Sequence, residues 1–216
     1  SAGIEVRMIT GDHAITAKAI ADDLGLAPGV ATGPEIQKMS DEQLTEAVPD
    51  LHVFGRVTPQ DKLRLVTDMQ AGGQVVAMTG DAVNDAAALK KADIGVAMGS
   101  GSEVTKQAAR MILTDDRFAT LVHAVELGRD VYDKVTTYLR YQLTGLFGVL
   151  LLMLIATAFD INSGVALSPG MLLYISLVVA VWAVLAIMTD VPDPDLMNRR
   201  PRDTAVRIFN RTTGTR

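Results

Sequence analysis

Two long uncharged stretches in the second half of the chain constrain its structure most strongly. Residues 141–159 include no charged side chain in 19 positions, and residues 161–189 include none in 29. A helix needs about 20 apolar residues to cross the hydrocarbon core of a bilayer. We therefore predict an all-α transmembrane hairpin with helices at about 141–160 and 171–189. A pair of buried helices in a large soluble core is the alternative, which two consecutive runs of this length disfavour.

Basic residues on both sides of the hairpin predict its orientation. Lys134 and Arg140 precede the first stretch, residues 199–202 include three arginines, and the tip of the hairpin has no basic residue. Positively charged flanks stay on the cytoplasmic side of a membrane. We expect a multi-pass membrane protein in contact with lipid, with the flank before the first helix and a basic tail at 190–216 both cytoplasmic.

Composition excludes several classes of function. The chain has a formal net charge of −5, which argues against a nucleic-acid partner, because that kind of affinity depends on basic side chains that face phosphates. It has no cysteine, which excludes a disulfide framework and any thiol-ligated metal site. Residues 1–140 hold 20 acidic and 14 basic side chains, as expected of a soluble region.

A strand–Thr-Gly-Asp–helix unit occurs twice in this soluble region. A strand pattern at 6–9 leads into Thr10–Asp12, and another at 75–78 leads into Thr79–Asp81. His13 is expected near the N-terminus of the helix after the first triplet. Further strands are predicted at 53–56, 94–97 and 111–113, and helices at 14–24, 59–70, 84–91 and 103–110. This alternation predicts an α/β fold with a parallel sheet, whose sites gather at the carboxyl ends of the strands.

The residues at those strand ends suit phosphoryl transfer. Glycine permits close backbone approach, a helix N-terminus offers free N–H groups to an anion, and a threonine hydroxyl can donate to a phosphoryl oxygen. Asp81 and Asp85, with Asn84 between them, supply the hard oxygens that magnesium prefers. Lys62, near a helix start, could neutralise phosphoryl charge. Phosphate, magnesium and lysine together indicate phosphoryl transfer.

Each feature also has a purely structural explanation. A Thr-Gly-Asp triplet alone is most often a turn with a helix cap, Asn84 could cap the helix that follows it, and Lys62 could be a solvated surface residue. Ser100 and Glu103 have the spacing of a capping box, for which we predict a structural role. Residues 114–116 could bind a metal, but a turn is the favoured interpretation.

The motifs resemble those of P-type cation-transporting ATPases. Residues 8–21 are similar to the motif on the nucleotide side of these pumps, and residues 78–89 resemble their hinge motif, Thr-Gly-Asp-Gly-Val-Asn-Asp-x-x-Ala-Leu. Residues 55–62 match the segment that carries their Arg and Lys, and residues 193–202 match the sequence after the hairpin. The resemblance covers nearly the whole chain and is closest to the group that includes the calcium and sodium–potassium pumps.

The resemblance implies a fold, an activity and a set of site residues. Residues 1–128 would be part of a phosphorylation domain with a haloacid-dehalogenase-like, Rossmann-like fold, and residues 129–140 would be a helical stalk that runs on into the first membrane helix. The complete protein would hydrolyse ATP with Mg²⁺ and transport an inorganic cation of unknown identity. The catalytic residues implied are Thr10, Lys62 and Asp85, the magnesium ligand is Asp81, and the cofactor-binding residues are Gly11, Asp12, Arg56 and Asn84.

The family's nucleophile, the Asp of Asp-Lys-Thr-Gly-Thr, is absent from the sequence. In the family it precedes the position of Ser1, as does the nucleotide-binding domain. We therefore interpret the chain as the C-terminal part of a larger pump, unable alone to form the aspartyl-phosphate and dependent on a missing part with the nucleotide-binding and actuator domains. In the family the nucleophile's strand lies between the two triplet strands, so we expect an incomplete sheet with open edges and an unstable isolated region 1–140.

Two further departures concern the membrane helices and the hinge motif. Leu146 and Val149 stand where the family has Asn and Glu, and neither apolar stretch contains a carboxylate, the kind of group that marks ion paths. Ala82 replaces the motif's glycine. If the backbone needs a positive φ there, alanine costs about 1 kcal/mol.

Two other functions remain open at this point. One is a haloacid-dehalogenase-like phosphatase with a membrane anchor, which needs a nucleophilic Asp-x-Asp pair that residues 1–140 lack. The other is a non-catalytic remnant or split partner that docks onto another chain, which the missing strand favours. The upstream reading frame separates these possibilities from a pump segment.

Overall fold

The chain forms two compact units. The computed structural model describes residues 2–26 and 28–202, of which residues 5–121 form one unit and residues 2–4 and 122–202 the other. The boundary between the two compact units lies between residues 121 and 122. The domain limits 1–128 and 129–140 given above divide the chain by function, and they stay predictions.

The first unit alternates short parallel strands with helices. Its strands are β1 (Met8–Ile9), β2 (Val30–Thr32), β3 (Val53–Gly55), β4 (Ala77–Gly80), β5 (Ile94–Met98) and β6 (Met111–Leu113). Its helices are α1 (Ala14–Asp23), α2 (Gly33–Lys38), α3 (Asp41–Ala47), α4 (Pro59–Ala71), α5 (Ala86–Lys91) and α6 (Glu103–Ala108), with 3-10 turns at Val48–Asp50 and Val83–Asp85. The predicted α/β class with parallel strands is confirmed.

The strands form two separate three-stranded sheets. Their orders are β1-β3-β2 and β4-β5-β6, and every pairing is parallel, with Ile9 opposite Phe54 in one sheet and Thr79 opposite Val96 in the other. The first triplet follows β1, and the second begins with the last two residues of β4; both strands lie at the edge of a sheet. Among the residues that the structure describes, each of these two strands pairs on one side only. This arrangement is the incomplete parallel sheet that the sequence predicts.

One of the two apolar clusters in the described residues joins the two sheets. Phe54 and Val57 contribute from the first sheet and its loop, Met78 and Leu89 from the second sheet and its helix, and Leu65 of α4 belongs to the same cluster. Burying a side chain of this size stabilises a fold by about 1.5–3 kcal/mol. Since α4 also contacts α3, α5 and the 3-10 turn before α5, it holds the carboxyl ends of both sheets in a defined relation.

The N-terminus of α4 is fixed by a capping box. The Thr58 hydroxyl accepts from the Asp61 N–H, and the Asp61 carboxylate accepts from the Thr58 N–H at 2.8 Å, with Pro59 in the first helical position. Such a box satisfies N–H groups that have no partner within the helix. Asp61 is only 4 % exposed, and Gln37 donates to both of its oxygens. The box therefore fixes the position of Lys62, which follows directly in the first turn.

Several predicted elements differ from the observed ones. β1 and β4 begin two residues later than predicted, at Met8 and Ala77, and Val6 and Val75 are 59 % and 60 % exposed. α6 ends before Arg110, whose N–H already donates to Gly95 of β5. The segment with β2, α2 and α3 was not predicted, because a three-residue strand and helices of six and seven residues are too short for a readable period.

The capping box predicted for Ser100 and Glu103 is wrong. α6 is capped by Ser102, whose hydroxyl accepts from the Thr105 N–H at 3.2 Å. Ser100 cannot take that position, because its own N–H donates to the Asp116 carboxylate at 3.1 Å. The segment still has the structural role that we expected, with the cap two residues later.

The turn predicted for residues 114–116 is confirmed. The Asp116 N–H donates to the Leu113 carbonyl, and the carboxylate of Asp115 accepts from the Thr120 hydroxyl at 2.5 Å. The hydrogen bond from the Ser100 N–H lowers the pKa of Asp116, and the Thr120 hydroxyl lowers that of Asp115. Both carboxylates therefore serve the turn and the start of the next helix.

The second unit consists mainly of two helical segments. α7 (Phe118–Ala158) runs without a break for 41 residues, so the predicted stalk and first membrane helix are one helix. After a 3-10 turn (Ile161–Gly164), the second segment comprises α8 (Pro169–Tyr174), a π-helical stretch (Ile175–Val179) and α9 (Ala180–Thr189). Both segments are long and apolar enough to span a bilayer, and their most apolar windows are 6 % and 0 % buried. Within the described residues, neither window is packed into an apolar core.

The beginning of the predicted basic tail is folded onto α7. Arg129 donates to the carbonyl oxygens of Leu196 and Arg199 at 3.0 and 3.1 Å and to that of Ala2 at 2.7 Å. Arg199 forms an ion pair with Asp133 at 2.9 Å, and Leu196 is 3 % exposed. Residues 203–216 of the predicted tail lie outside the described residues.

Candidate functional site

A nearly buried ion pair links α4 to the N-cap residue of α5. The Lys62 ammonium lies 2.5 Å from a carboxylate oxygen of Asp85, and the two side chains are 14 % and 7 % exposed. Charges that are this close and this far from water interact strongly. The alternative of a solvated Lys62 is therefore wrong, and the predicted cation lies beside Asp85, one of the two predicted carboxylates.

Gly80, the middle residue of the second triplet, makes room for Asp85. A Cβ atom on Gly80 would lie 2.7 Å from the Asp85 Cβ and 2.9 Å from its Oδ2. Contacts this short require one of the two groups to move. The glycine thus serves the placement of the carboxylate, a reason that the sequence did not reveal.

Asp81 offers free hard oxygens at the same place. Its side chain is exposed and has no hydrogen bond or ion pair within residues 2–26 and 28–202, whereas its carbonyl accepts from the Ser102 N–H at 3.0 Å and from the Thr105 hydroxyl at 3.4 Å. A free carboxylate on a fixed backbone fits Mg²⁺, which takes one or two carboxylates and completes its shell with water and phosphate. The described residues hold no cluster of three or more His, Cys, Asp or Glu that would form an all-protein metal cage.

The neighbours of Asp81 clarify two of the sequence-based predictions. Asn84 lies inside the 3-10 turn, and Asp85 takes the N-cap position of α5, so the interpretation of Asn84 as that cap is wrong. Ala82 has φ −93° and ψ 152°, an extended conformation that any residue adopts. The cost predicted for a positive φ at Ala82 therefore does not arise in this backbone.

The first triplet forms a turn that is bonded to the loop after β3. The Thr10 hydroxyl donates to the Asp12 carboxylate at 3.2 Å and accepts from the Asp12 N–H at 3.1 Å, which is the turn given as the alternative above. The Thr10 carbonyl accepts from Val57, and the Asp12 carbonyl accepts from the Arg56 N–H at 2.8 Å. A Cβ on Gly11 would contact nothing within 4 Å. The structure thus brings Thr10, Gly11, Asp12 and Arg56 together.

Two residues beside Arg56 were not predicted as part of the site. The Arg56 guanidinium contacts Nε2 of His13, which holds the N-cap position of α1, as its predicted place near the helix start requires. The Arg56 carbonyl lies against Gly33, where a Cβ atom would be 2.3 Å from the oxygen. An isolated histidine and a glycine in an unpredicted helix gave no signal in the sequence.

The predicted site residues therefore form two groups at the carboxyl ends of the strands. One group contains Thr10, Gly11, Asp12 and Arg56; the other contains Lys62, Asp81, Asn84 and Asp85. Within the described chain no hydrogen bond or ion pair connects a side chain of one group to a side chain of the other. α4 connects the groups, because it begins just after Arg56 and carries Lys62 to Asp85.

Three family models match parts of this chain. Two are described as haloacid dehalogenase-like hydrolase and match residues 1–93 and 63–124. The third, described as Cation transporting ATPase, C-terminus, matches residues 164–216.

Known proteins match the chain over almost its whole length. The Calcium-transporting ATPase of Bacillus subtilis is 42 % identical, with 99 % of this chain and 24 % of that protein covered. The Probable cation-transporting ATPase F of Mycobacterium tuberculosis is 49 % identical, with 94 % of this chain and 23 % of that protein covered. The chain belongs to the P-type cation-transporting ATPase family. It spans about a quarter of the length of these P-type relatives.

A solved P-type ATPase has a similar fold. The structure of a zinc-transporting PIB-type ATPase in its E2.Pi state matches with a TM-score of 0.58 and 27 % identity, covering 84 % of this chain and 24 % of that one. A haloacid-dehalogenase-like domain followed by apolar helices is thus what this P-type ATPase chain shares with its relatives.

Proposed function

We propose that this chain supplies the magnesium- and phosphoryl-binding half of the phosphorylation domain, together with two membrane helices, of an ATP-driven cation transporter. The observation that carries the proposal is the Lys62–Asp85 pair at 2.5 Å, next to the free carboxylate of Asp81. It puts a cation and hard oxygens at the strand ends where α/β proteins bind their ligands. The names of the relatives favour a cation as cargo, and its identity stays open.

Each residue of the second group has a defined part in phosphoryl transfer. Lys62 neutralises oxygens of the transferred group, and Asp85 holds the ammonium in place until that group arrives. Asp81, with the Asn84 amide nearby, holds Mg²⁺. A bound Mg²⁺ supplies the positive charge that phosphoryl transfer requires, and catalysis then consists mainly of positioning and electrostatic stabilisation.

The first group serves the phosphoryl and nucleotide side. The Thr10 hydroxyl donates to a phosphoryl oxygen once it releases the Asp12 carboxylate, to which it donates in the structure. The guanidinium of Arg56 is a fork of N–H donors that suits the oxygens of ATP. Gly11 and Asp12 complete this side of the site, where the open space around Gly11 leaves the backbone accessible.

The phosphorylated carboxylate has to come from sequence outside these 216 residues. We propose that the complete protein supplies it, together with nucleotide-binding and actuator domains, and that this chain alone forms no aspartyl-phosphate. The one-sided pairing of β1 and β4 favours this view, because an edge strand readily accepts a further strand. The same edges also suit a split partner that docks onto another chain, which the upstream reading frame distinguishes.

The two apolar helical segments span the membrane in this proposal. Their charged flanks, with the stalk part of α7 and the basic tail, lie on the cytoplasmic side, and the turn at residues 161–168 lies outside. Because α7 is one continuous helix from Phe118 to Ala158, a movement of its soluble end is transmitted to the membrane part.

Phosphorylation of the complete protein in membranes tests the proposal. We expect an acid-stable phosphoenzyme from labelled ATP, formed in response to one cation of a tested panel. Lys62→Ala and Asp81→Asn should abolish it, while Lys106→Ala, which removes a partly exposed lysine paired with the exposed Glu103, should not. A phosphoenzyme that survives both site substitutions, or that forms on this chain alone, would contradict the proposal.

A further inference from the structure

The backbone of Arg56 has an unfavourable conformation. Its φ of +53° lies in the left-handed region, which residues with a Cβ rarely occupy. Such conformations persist only where the surroundings enforce them, and they concentrate at functional sites. Here the Arg56 N–H donates to the Asp12 carbonyl at 2.8 Å, and the next N–H, that of Val57, donates to the Thr10 carbonyl at 3.2 Å. The conformation of Arg56 is thus tied to the first triplet.

Gly33 provides the space that this conformation needs. The Arg56 carbonyl points at the first residue of α2, where a Cβ would be 2.3 Å from the oxygen and 3.1 Å from the carbonyl carbon. Backbone atoms cannot yield as a flexible side chain can. Gly33 is buried, so a larger residue could not turn into solvent either. Any other residue at this position displaces Arg56.

His13 contacts the other end of Arg56. A guanidinium only donates hydrogen bonds, so Nε2 of His13 has to be the acceptor for Arg56 Nη2. His13 holds the N-cap position of α1 but makes no side-chain cap bond to that helix. Its imidazole therefore contributes to Arg56 and not to the capping of α1.

We infer that His13 and Gly33 are positioning residues for Arg56, Gly33 through the backbone and His13 through the guanidinium, and that they set the affinity of the site for ATP. The inference rests on the proposed function, in which Arg56 contacts the nucleotide side. Neither residue touches the reacting atoms, so their loss affects KM for ATP far more than kcat. An Arg56 side chain that moves freely loses more conformational entropy when it binds the same anion, and it therefore binds that anion more weakly.

Substitutions at His13 test the inference with little risk to folding. Asparagine is a good N-cap but too short to reach Arg56, whereas glutamine brings an acceptor oxygen close to the position of Nε2. In the complete protein we expect His13→Asn to raise KM for ATP roughly three- to tenfold, as loss of one hydrogen bond between exposed side chains implies, with kcat nearly unchanged. His13→Gln should restore most of the affinity. His123→Asn, at an exposed histidine of α7, is the matched control.

Two further measurements make the result decisive. In an Arg56→Ala background His13→Asn should change KM no further, and Gly33→Ala should raise KM in the same way as His13→Asn. Without nucleotide, phenylglyoxal should react with Arg56 faster in His13→Asn than in the protein without the substitution. Mass spectrometry follows this reaction, and the readout needs no turnover. Equal modification rates, or an unchanged KM in His13→Asn, would overturn the inference. An unmodified protein without ATPase activity would instead count against the proposed function.

Discussion

Replacing Lys62 by methionine keeps the apolar stem of the side chain but removes the charge beside Asp85. The two charged atoms are 2.5 Å apart, and the side chains are 14 % and 7 % exposed. Removal of one partner of a buried pair costs about 3–5 kcal/mol, because the remaining charge stays out of water without compensation. We expect the lower end, about 3 kcal/mol, since Lys62 retains some solvent contact. A loss of this size raises the equilibrium constant for local opening about 100-fold.

Hydrogen exchange of the complete protein measures this loss locally. Protected amides of α4 and of residues 80–91 should exchange about 100-fold faster in Lys62→Met. Lys106→Met is the matched control, because Lys106 is also the fourth residue of its helix but pairs with a Glu103 side chain that is 79 % exposed, a pair worth at most about 1 kcal/mol. Adding Asp85→Asn to Lys62→Met should recover part of the protection. Equal exchange in the two lysine variants would refute the argument that burial makes the Lys62 pair strong.

Three further predictions concern the hinge motif, an acid-sensitive strand start and the membrane topology. Ala82→Gly should lower the free energy of unfolding by about 0.5–1 kcal/mol, because Ala82 already has an unstrained φ of −93° and glycine only adds conformational freedom to the unfolded chain. A variant that unfolds at a higher temperature would contradict this. The hydrogen bond from the Val76 N–H lowers the pKa of Asp93 below its ordinary 3.8. This bond therefore stabilises the folded chain fully above pH 3.8, and the stabilisation is lost as the pH falls through the lower pKa of the folded state. Asp93→Asn should remove this acid-dependent loss of protection at Val76, and identical exchange profiles from neutral to acidic pH would disprove it. Because these 216 residues contain no cysteine, a maleimide found on a peptide of this segment reports only the introduced cysteine; an impermeant maleimide should label Ser163→Cys in intact cells but Asn198→Cys only after permeabilisation, and the reverse pattern would invert the orientation.

Patterns in the amino-acid sequence predicted much of the fold. The repeated strand–Thr-Gly-Asp–helix unit predicted parallel strands, and β5, β6 and α4 lie within one residue of the expected ranges. These elements are recognisable because the pattern of apolar residues and the cap at Thr58 act within a few residues of the chain. β2, α2 and α3 were missed for the same reason, since elements this short show no clear period.

The site was predicted as a set of residues but not as an arrangement. Lys62, Asp81 and Asp85 were chosen from their motifs, yet the burial of the Lys62–Asp85 pair and the need for Gly80 beside it depend on contacts that only the folded chain makes. Gly33 carried no signal at all, because its role depends on a carbonyl that is distant in sequence.

The membrane-spanning character of two segments followed from the residues themselves. Stretches of 19 and 29 uncharged positions are apolar whatever surrounds them, because the free energy of transfer from water to hydrocarbon is nearly a sum over side chains. The tertiary structure decided which strand ends meet, which carboxylate Lys62 neutralises and which glycine Arg56 requires. Those contacts join residues 23 positions apart, as for Lys62 and Asp85, and they form only when one apolar core holds both sheets against α4.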